Sequence, residues 1–297
     1  MNHARSKRVC RNTQPSIIKQ DTHYGLKKAL IKKYCIECIE CIGRHTRFGF
    51  IMQNMTICSN KKLFQVGALC GFIDKVYEGN HTMKDLASKG NFGIGTFDLV
   101  HGEMIAFDGK FFRVIEDGVA RIVDPNHKTP FAWVVDFEET HSFTLEDIKS
   151  FDHFGLSFDE KIPSQNFIYA YRIDCMIEHI QFRTEACQPR PFKPLSETLP
   201  HVQKNFELFD ISGTIAGFRF PEYFSTLNIP GHHMHFLEPK SMQGGHIFDI
   251  KFKKATVSVC AIKNYELALV DSQAFAELNV GEQDIIKATH AVEKQKN

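Results

Sequence analysis

The sequence lacks the features that would assign it to a membrane, secreted or dinucleotide-binding class. No apolar run approaches the roughly 18 residues of a membrane-spanning helix. Charged residues interrupt the apolar stretches near the N-terminus, so no export signal is visible. The glycines of GNFGIGTF (90–97) resemble a dinucleotide-binding loop, but no helical pattern follows them. We therefore expect no membrane partner and no Rossmann-type fold.

The nine cysteines lack the regular spacing of a disulfide framework, and their odd number argues against complete pairing. Cys35, Cys38 and Cys41 form the repeat CIECIEC, which has some metal-ligand character. No fourth cysteine lies at ligand spacing, however, and a tandem duplication of CIE explains the repeat equally well. We expect reduced thiols in a cytoplasmic protein.

Charge divides the chain into a basic head and an acidic body. Residues 1–52 carry 11 Lys and Arg against 3 Asp and Glu, whereas residues 53–297 carry 25 against 32. An acidic body repels a polyanion, so nucleic acid is not an expected partner. Residues 1–60 are basic and polar, and we expect them to be a disordered N-terminal extension.

The chain beyond residue 60 is rich in strand patterns. Alternating apolar and polar residues with glycine-containing turns predict an antiparallel meander over 91–124, a strand within 129–139 and further strands over 166–270. Breaks in the later strands are expected at Asp174, Gly213, Pro221 and Pro230. Helical spacing predicts helices over 63–79, 82–90, 142–157 and 280–295. The pattern as a whole indicates an α+β protein with few helices and largely antiparallel sheets.

A cluster of histidines is the feature most suggestive of chemistry. Four histidines lie between Gly231 and His246, in the segments PGHHMHF and GGHIFDI. In a strand, His233 and His235 project from one face and His232 from the other. After the following turn, His246 lies on a neighbouring antiparallel strand, where it can face the pair. Three imidazoles with open coordination positions are typical of a catalytic Zn²⁺ site.

Two alternatives to a zinc enzyme remain open on spacing alone. Three imidazoles also suit Fe²⁺, Mn²⁺ or Ni²⁺. In a cupin the H-x-H motif is followed by a glutamate ligand, and Glu238 lies three residues after His235, although on the opposite face of an ideal strand. The other alternative is a non-catalytic sheet protein whose histidines are incidental.

Six motifs follow one another along residues 62–295: LFQVGALCGFIDKVYEGNHTMKDLASKGNFGIGTF, GEMIAFDGKFFRV, TPFAWVV, GTIAGFRFPEY, IPGHHMHFL and GGHIFDI. Together they resemble the α-acetolactate decarboxylase family. The resemblance implies a homodimer of two-domain α/β subunits with mixed sheets. It places an N-terminal α/β domain over 61–160 and a β-rich C-terminal domain, with the metal site, over 161–297. It also implies one Zn²⁺ per subunit and conversion of (S)-2-acetolactate to (R)-acetoin and CO₂.

The resemblance also assigns the site residues. They are the zinc ligands His233, His235 and His246, the active-site glutamate Glu103, the arginine Arg183 with Arg190 as its alternative, and the C-terminal glutamate Glu293. His232 stands where the family usually has an aromatic residue, and its effect on the site is an open question.

The implied chemistry gives each group a task. When acetolactate loses CO₂, an electron pair flows into the neighbouring carbonyl as an enediolate, for which Zn²⁺ is the electron sink. Arg183 would hold the substrate carboxylate, and either Glu103 or Glu293 would donate a proton. The alternative function is that of a cupin-like Fe(II) oxygenase or another metal-dependent sheet enzyme.

Overall fold

The computed structural model of the chain describes residues 60–279 and 281–293 and, within the last helix, the side chains of residues 285–292. These residues belong to one compact unit, Asn54–Asn297. The predicted extension up to Ser59, with Cys35, Cys38 and Cys41, lies outside the described residues. The predicted division between residues 160 and 161 stays a prediction.

The described residues form fourteen strands and six helices, with two short 3₁₀ turns at Asp98–Val100 and Glu222–Phe224. The strands are β1 Lys62–Val66, β2 His81–Thr82, β3 Phe92–Thr96, β4 Glu103–Phe107, β5 Lys110–Val114, β6 Ala120–Ile122, β7 Lys128–Thr129, β8 Ala132–Val135, β9 His141–Ile148, β10 Ile168–Glu185, β11 Gln203–Phe220, β12 Gly231–Leu237, β13 Gly244–Ile262 and β14 Asn264–Ala268. The helices are α1 Leu69–Ile73, α2 Met83–Ala87, α3 Phe151–Asp159, α4 Leu195–Val202, α5 Gln273–Ala276 and α6 Glu282–Glu293.

The first sheet has the strand order β14-β1-β8-β3-β4-β5-β6 and is antiparallel except for the parallel pair of β1 and β14. Its central strands β3 and β8 are buried along their whole length. Alternate residues of β8 belong to different apolar clusters. Trp133 and Val135 pack into one cluster, and Ala132 and Val134 pack into the other. These strands therefore carry apolar cores on both faces, which explains why their sequences contain no charged residue.

The second sheet has the order β10-β11-β12-β13-β9 and is antiparallel. Strand β10 also pairs with β13, so the pairing of β10, β11, β12 and β13 closes into a ring. Each sheet takes one strand from the far side of the predicted 160/161 boundary, namely β9 for the second sheet and β14 for the first. The predicted α+β class, with few helices and mixed, largely antiparallel sheets, is confirmed.

One of the apolar clusters lies between the two sheets. The ring of Trp133 on β8 meets the rings of Phe218 and Phe220 on β11 edge-on, with centroids 6.1 and 5.8 Å apart. Phe92 on β3 approaches Phe218 at 5.7 Å. Aromatic side chains bury large apolar areas and favour such tilted contacts, so this cluster fixes β12, which follows β11, against the first sheet.

Several predicted element boundaries are wrong. The segment predicted as one helix over 63–79 begins as β1 and forms only the short α1, and the helix predicted over 142–157 is β9 followed by α3, which starts at its N-cap Ser150. The breaks predicted at Asp174 and Gly213 are absent, because β10 and β11 are continuous and pair with each other on both sides of these residues. The predicted second helix and C-terminal helix are confirmed as α2 and α6. None of the helices in the described ranges is long and apolar enough to span a membrane.

Candidate active site

Strands β12 and β13 bring three imidazoles together. His233 and His235 share one face of β12, and His235 lies directly opposite His246 on β13. The Nε2 atom of His233 is 3.1 Å from Nε2 of His235 and 3.0 Å from Nδ1 of His246. All three side chains are buried. The arrangement expected from strand alternation and the turn is thus the one observed.

The electrostatics of the cluster keep the imidazoles neutral. Burial lowers the pKa of His235 to about 3, and it lowers the pKa of His233 and His246 well below the usual value. The positive charge of Arg183 lowers all three further. Nδ1 of His235 lies 2.9 Å from the carbonyl oxygen of Met104. Donation to that carbonyl fixes the tautomer and leaves the Nε2 lone pair facing the other two rings.

The donor set fits a metal ion. The three candidate ligand nitrogens lie within 4.8 Å of one another. Ligands about 2.0–2.1 Å from a tetrahedral Zn²⁺ stand roughly 3.3 Å apart, close to the 3.0 and 3.1 Å separations observed here. Uncharged imidazoles are also the form that binds metals.

Glu103 stands beside this cluster. As the first residue of β4 it is paired with Thr96 on β3 and Val114 on β5, so its backbone is held on both sides. Its side chain is buried, and its Oε2 lies 3.3 Å from Nε2 of His235. The structure therefore places the predicted glutamate in contact with the predicted metal ligands.

Arg183 reaches the cluster from β10, where it is paired with His246. The ring closure of the second sheet creates this pairing. Its Nη1 donates to the carbonyl oxygen of Val292 at 2.7 Å and to Oε1 of Gln203 at 3.3 Å. Val292 lies in the last turn of α6, where helix carbonyls lack intrahelical partners and the helix dipole is negative. Arg183 thus fastens the C-terminal helix over the site.

The other two residues predicted for the site are Arg190 and Glu293. Arg190 lies on the surface, with its side chain 63% exposed, and it pairs with Glu78 at 2.6 Å. It does not line the cavity of the site. Glu293 is the last residue of α6, but its side chain lies outside the described part of the structure.

Glu238 does not join the histidines. Its carboxylate accepts hydrogen bonds from the backbone N–H groups of Lys240 and Ser241 in the turn between β12 and β13. The glutamate of the cupin alternative therefore serves as a turn residue, and it is not among the three residues of the metal-capable cluster.

His232 projects from the opposite face of β12, away from the cluster. Its ring packs edge-on against Phe154 and Phe158 of α3, with centroids 5.3 and 4.9 Å away. Its Nδ1 lies 2.9 Å from the hydroxyl of Tyr171, and its Nε2 lies 3.4 Å from Asp159. His232 therefore occupies an aromatic pocket on the face of β12 opposite the cluster.

A small cavity of about 50 Å³ connects these groups. The three histidines, Glu103 and Arg183 line it, and Val292 closes its side next to α6. A larger cavity of about 710 Å³ lies outside and shares His246 and Ile229 with the small one. Neutral imidazoles, the carboxylates of Glu103 and Glu185 and one guanidinium surround one space, and this set of groups suits a metal ion together with an anionic ligand.

One charged residue of the cavity, Glu185, was not among those predicted from the sequence. Glu185 is buried and lines the small cavity together with Arg183. The two stand at i and i+2 in the strand segment QFRTEA, so strand alternation places them on one face. Glu185 could have been predicted from this spacing, because the residue two positions after a site arginine in a strand projects toward the same site.

The comparisons with known proteins agree on one family. The model of the family described as alpha-acetolactate decarboxylase matches residues 63–282. An alpha-acetolactate decarboxylase of Methylococcus capsulatus is 36% identical over 219 residues, which cover 74% of this chain and 84% of that protein. An alpha-acetolactate decarboxylase of Methanosarcina mazei is 34% identical over 232 residues, which cover 78% of this chain and 80% of that protein. The crystal structure of alpha-acetolactate decarboxylase from Bacillus subtilis is similar with a TM-score of 0.75 at 31% identity, covering 78% of this chain and 99% of that one.

Proposed function

Because the chain belongs to the alpha-acetolactate decarboxylase family and is therefore a carboxy-lyase, we propose that it converts (S)-2-acetolactate to (R)-acetoin and CO₂. We propose further that it uses Zn²⁺ held by His233, His235 and His246. The observation that carries the metal proposal is the convergence of three buried, neutral imidazoles on one point.

A Zn²⁺ ion bound there would supply Lewis acidity toward the hydroxyl and keto oxygens of the substrate. The protein groups do the rest. Arg183 binds the substrate carboxylate through its guanidinium group, whose Nη1 is held by Gln203 and Val292. The hydrogen bond from its Nη1 to Val292 keeps the guanidinium plane fixed while the carboxylate leaves.

Glu103 is the proton donor in this proposal. When the C–C bond to the carboxyl group breaks, the electron pair moves into the neighbouring keto group and CO₂ departs. The carbon that carried the carboxyl group then needs a proton on one face. Glu103 lines the cavity from β4 and is fixed by strands on both sides, so it can deliver its proton to one face only. Val292 and its helix shield this step from water.

The decisive experiment combines metal analysis with product analysis. Purified His233→Ala should lose zinc and acetoin formation together, whereas His179→Ala, on the surface side of the same sheet, should keep both. Acetoin should form from racemic acetolactate without oxygen uptake, which separates a decarboxylase from an Fe(II) oxygenase. Full activity in metal-free His233→Ala protein would end the metal proposal.

We also propose a homodimer that works in the cytoplasm. The described cysteines, Cys70, Cys175, Cys187 and Cys260, are free thiols, as suits a reducing compartment. The edge strand β6 exposes 76% of Ile122, an apolar side chain that a second subunit can cover. Sedimentation analysis of the purified protein tests the dimer.

A further inference from the structure

A second buried carboxylate shares the small cavity with Arg183. Glu185 is the last residue of β10, two positions after Arg183, and the two side chains are 5% and 4% exposed. Both line the cavity that contains the histidines. The reaction proposed above gives Glu185 no task, yet burying a carboxylate costs free energy unless a partner compensates for it.

The contact between Glu185 and Arg183 acts through charge. Oε1 of Glu185 lies 3.4 Å from Nε of Arg183, which is longer than an ordinary N–H···O hydrogen bond. Nε itself makes no hydrogen bond among the described residues. The hydrogen-bond acceptors of Arg183, the Gln203 amide and the Val292 carbonyl, are neutral. Glu185 is therefore a carboxylate that stands at ion-pair distance from the guanidinium and offsets its charge.

The substrate carboxylate must compete with this anion. A buried guanidinium without a counter-charge would bind an incoming carboxylate strongly. The reaction, however, removes that carboxylate as neutral CO₂, so the attraction weakens on the way to the transition state. Binding energy that is present in the ground state and lost in the transition state raises the barrier.

We propose that Glu185 is a positioning residue that weakens the hold of Arg183 on the substrate carboxylate and thereby favours its release as CO₂. This inference rests on the proposed decarboxylation. Glu185 acts through Arg183 and need not touch the substrate, so its effect should be confined to ligands that carry a carboxylate.

The test uses Glu185→Gln, which keeps the shape of the side chain and removes its charge. Calorimetry on the zinc-loaded protein measures binding of 2-hydroxy-2-methylbutanoate, which has the carboxylate and tertiary hydroxyl of acetolactate but no keto group. Its Kd should fall about fivefold or more, as expected when a nearby unit charge is removed from a partly polar cavity. The Kd of acetoin, which has no carboxylate, should stay within about twofold. Both KM and kcat for acetolactate should fall, leaving kcat/KM little changed.

The control is Glu178→Gln, an exposed glutamate of the same strand, which should change none of these values. An unchanged Kd for the hydroxy acid, an equal change for acetoin, or binding of neither ligand would overturn the inference. If Glu185→Gln does not fold, Glu185→Asp retracts the carboxylate from Arg183 and should change the hydroxy-acid Kd in the same direction by a smaller factor. A wild-type protein that binds the hydroxy acid without decarboxylating acetolactate would defeat the proposed function, while calorimetry would still decide the role of Glu185.

Discussion

Gly245 offers a sharp test of how the sheet positions the site. It precedes His246 on β13, lies opposite Phe236 of β12, and has φ +153°. A Cβ atom added there would lie 2.4 Å from the carbonyl oxygen of Arg183 and 3.0 Å from the ring of Phe182. Gly245→Ala must therefore push β13 away from β10 at the point where His246 and Arg183 are paired.

The size of the effect follows from the distances. Ordinary contacts begin at 3.4 Å, so the 2.4 Å contact requires a displacement of about 1 Å. Metal–ligand distances tolerate only about 0.2 Å. Backbone strain of about 1–3 kcal/mol and overpacking of a similar size give a loss of about 2–6 kcal/mol in the free energy of unfolding. At about 2–4 °C per kcal/mol for a domain of this size, that corresponds to a fall in Tm of roughly 4–24 °C.

The assay is thermal unfolding together with zinc content per subunit. The matched control is Gly109→Ala, at a turn with φ +76° where an added Cβ meets nothing within 4 Å. This control isolates the backbone strain, about 1–2 kcal/mol, and should keep its zinc. Gly245→Ala should lose zinc affinity by at least about tenfold as well as stability. Full zinc content with a Tm equal to that of Gly109→Ala would refute the reasoning.

The remaining predictions concern single side chains. Arg183→Lys should lower turnover about a hundredfold with zinc retained, because one ammonium cannot replace the fixed guanidinium; an unchanged acetoin rate would exclude Arg183 as the residue that binds the carboxylate. Glu103→Gln should lower kcat by about 10²–10⁴ in the same assay, and an unchanged kcat would exclude it as proton donor. Burial raises the pKa of Asp159, but the nearby His232 ring, with its Nε2 3.4 Å away, and the Arg219 guanidinium, which donates from Nε at 2.6 Å, outweigh this effect, so its pKa is lowered. Its stabilisation is therefore present above about pH 4 and lost as the pH falls further. Asp159→Asn should cost about 1–2 kcal/mol at pH 7 and progressively less as the pH falls below about 4, measured by urea unfolding, and a pH-independent difference would contradict this.

Local rules of strand geometry were sufficient to predict the histidine arrangement. His233 and His235 stand at i and i+2, and His246 follows after a turn, so their relative positions depend on one hairpin. The position of Arg183 could not be predicted in this way. Its guanidinium contacts the carbonyl of Val292, 109 residues away, and this contact depends on the pairing of β10 with β13. Such long-range pairings leave no local pattern in the sequence.

The main error in the predicted fold concerned the length of β10 and β11, which also depends on long-range strand pairing. Asp174 and Gly213 are residues that often end strands, yet they lie within β10 and β11, close to each other in the ladder. The Thr214 hydroxyl donates to Asp174 at 2.6 Å, and Arg172 pairs with the same carboxylate at 2.8 Å. Partners on neighbouring positions therefore satisfy a residue that would otherwise favour a turn. Tertiary pairing overrides local preference here.

The charge of Arg183 links the metal cluster to the anion-binding part of the site. It lowers the pKa of all three histidines and so favours the neutral form that a metal requires. The same charge attracts a carboxylate, and that attraction must not become too strong if the carboxylate is to leave. An uncharged residue at this position would neither lower the histidine pKa values nor attract a carboxylate. An arginine without a counter-charge would bind the carboxylate too strongly. A cation with a buried counter-charge such as Glu185 meets both requirements, because the counter-charge faces Nε while Nη1 is fixed by Val292.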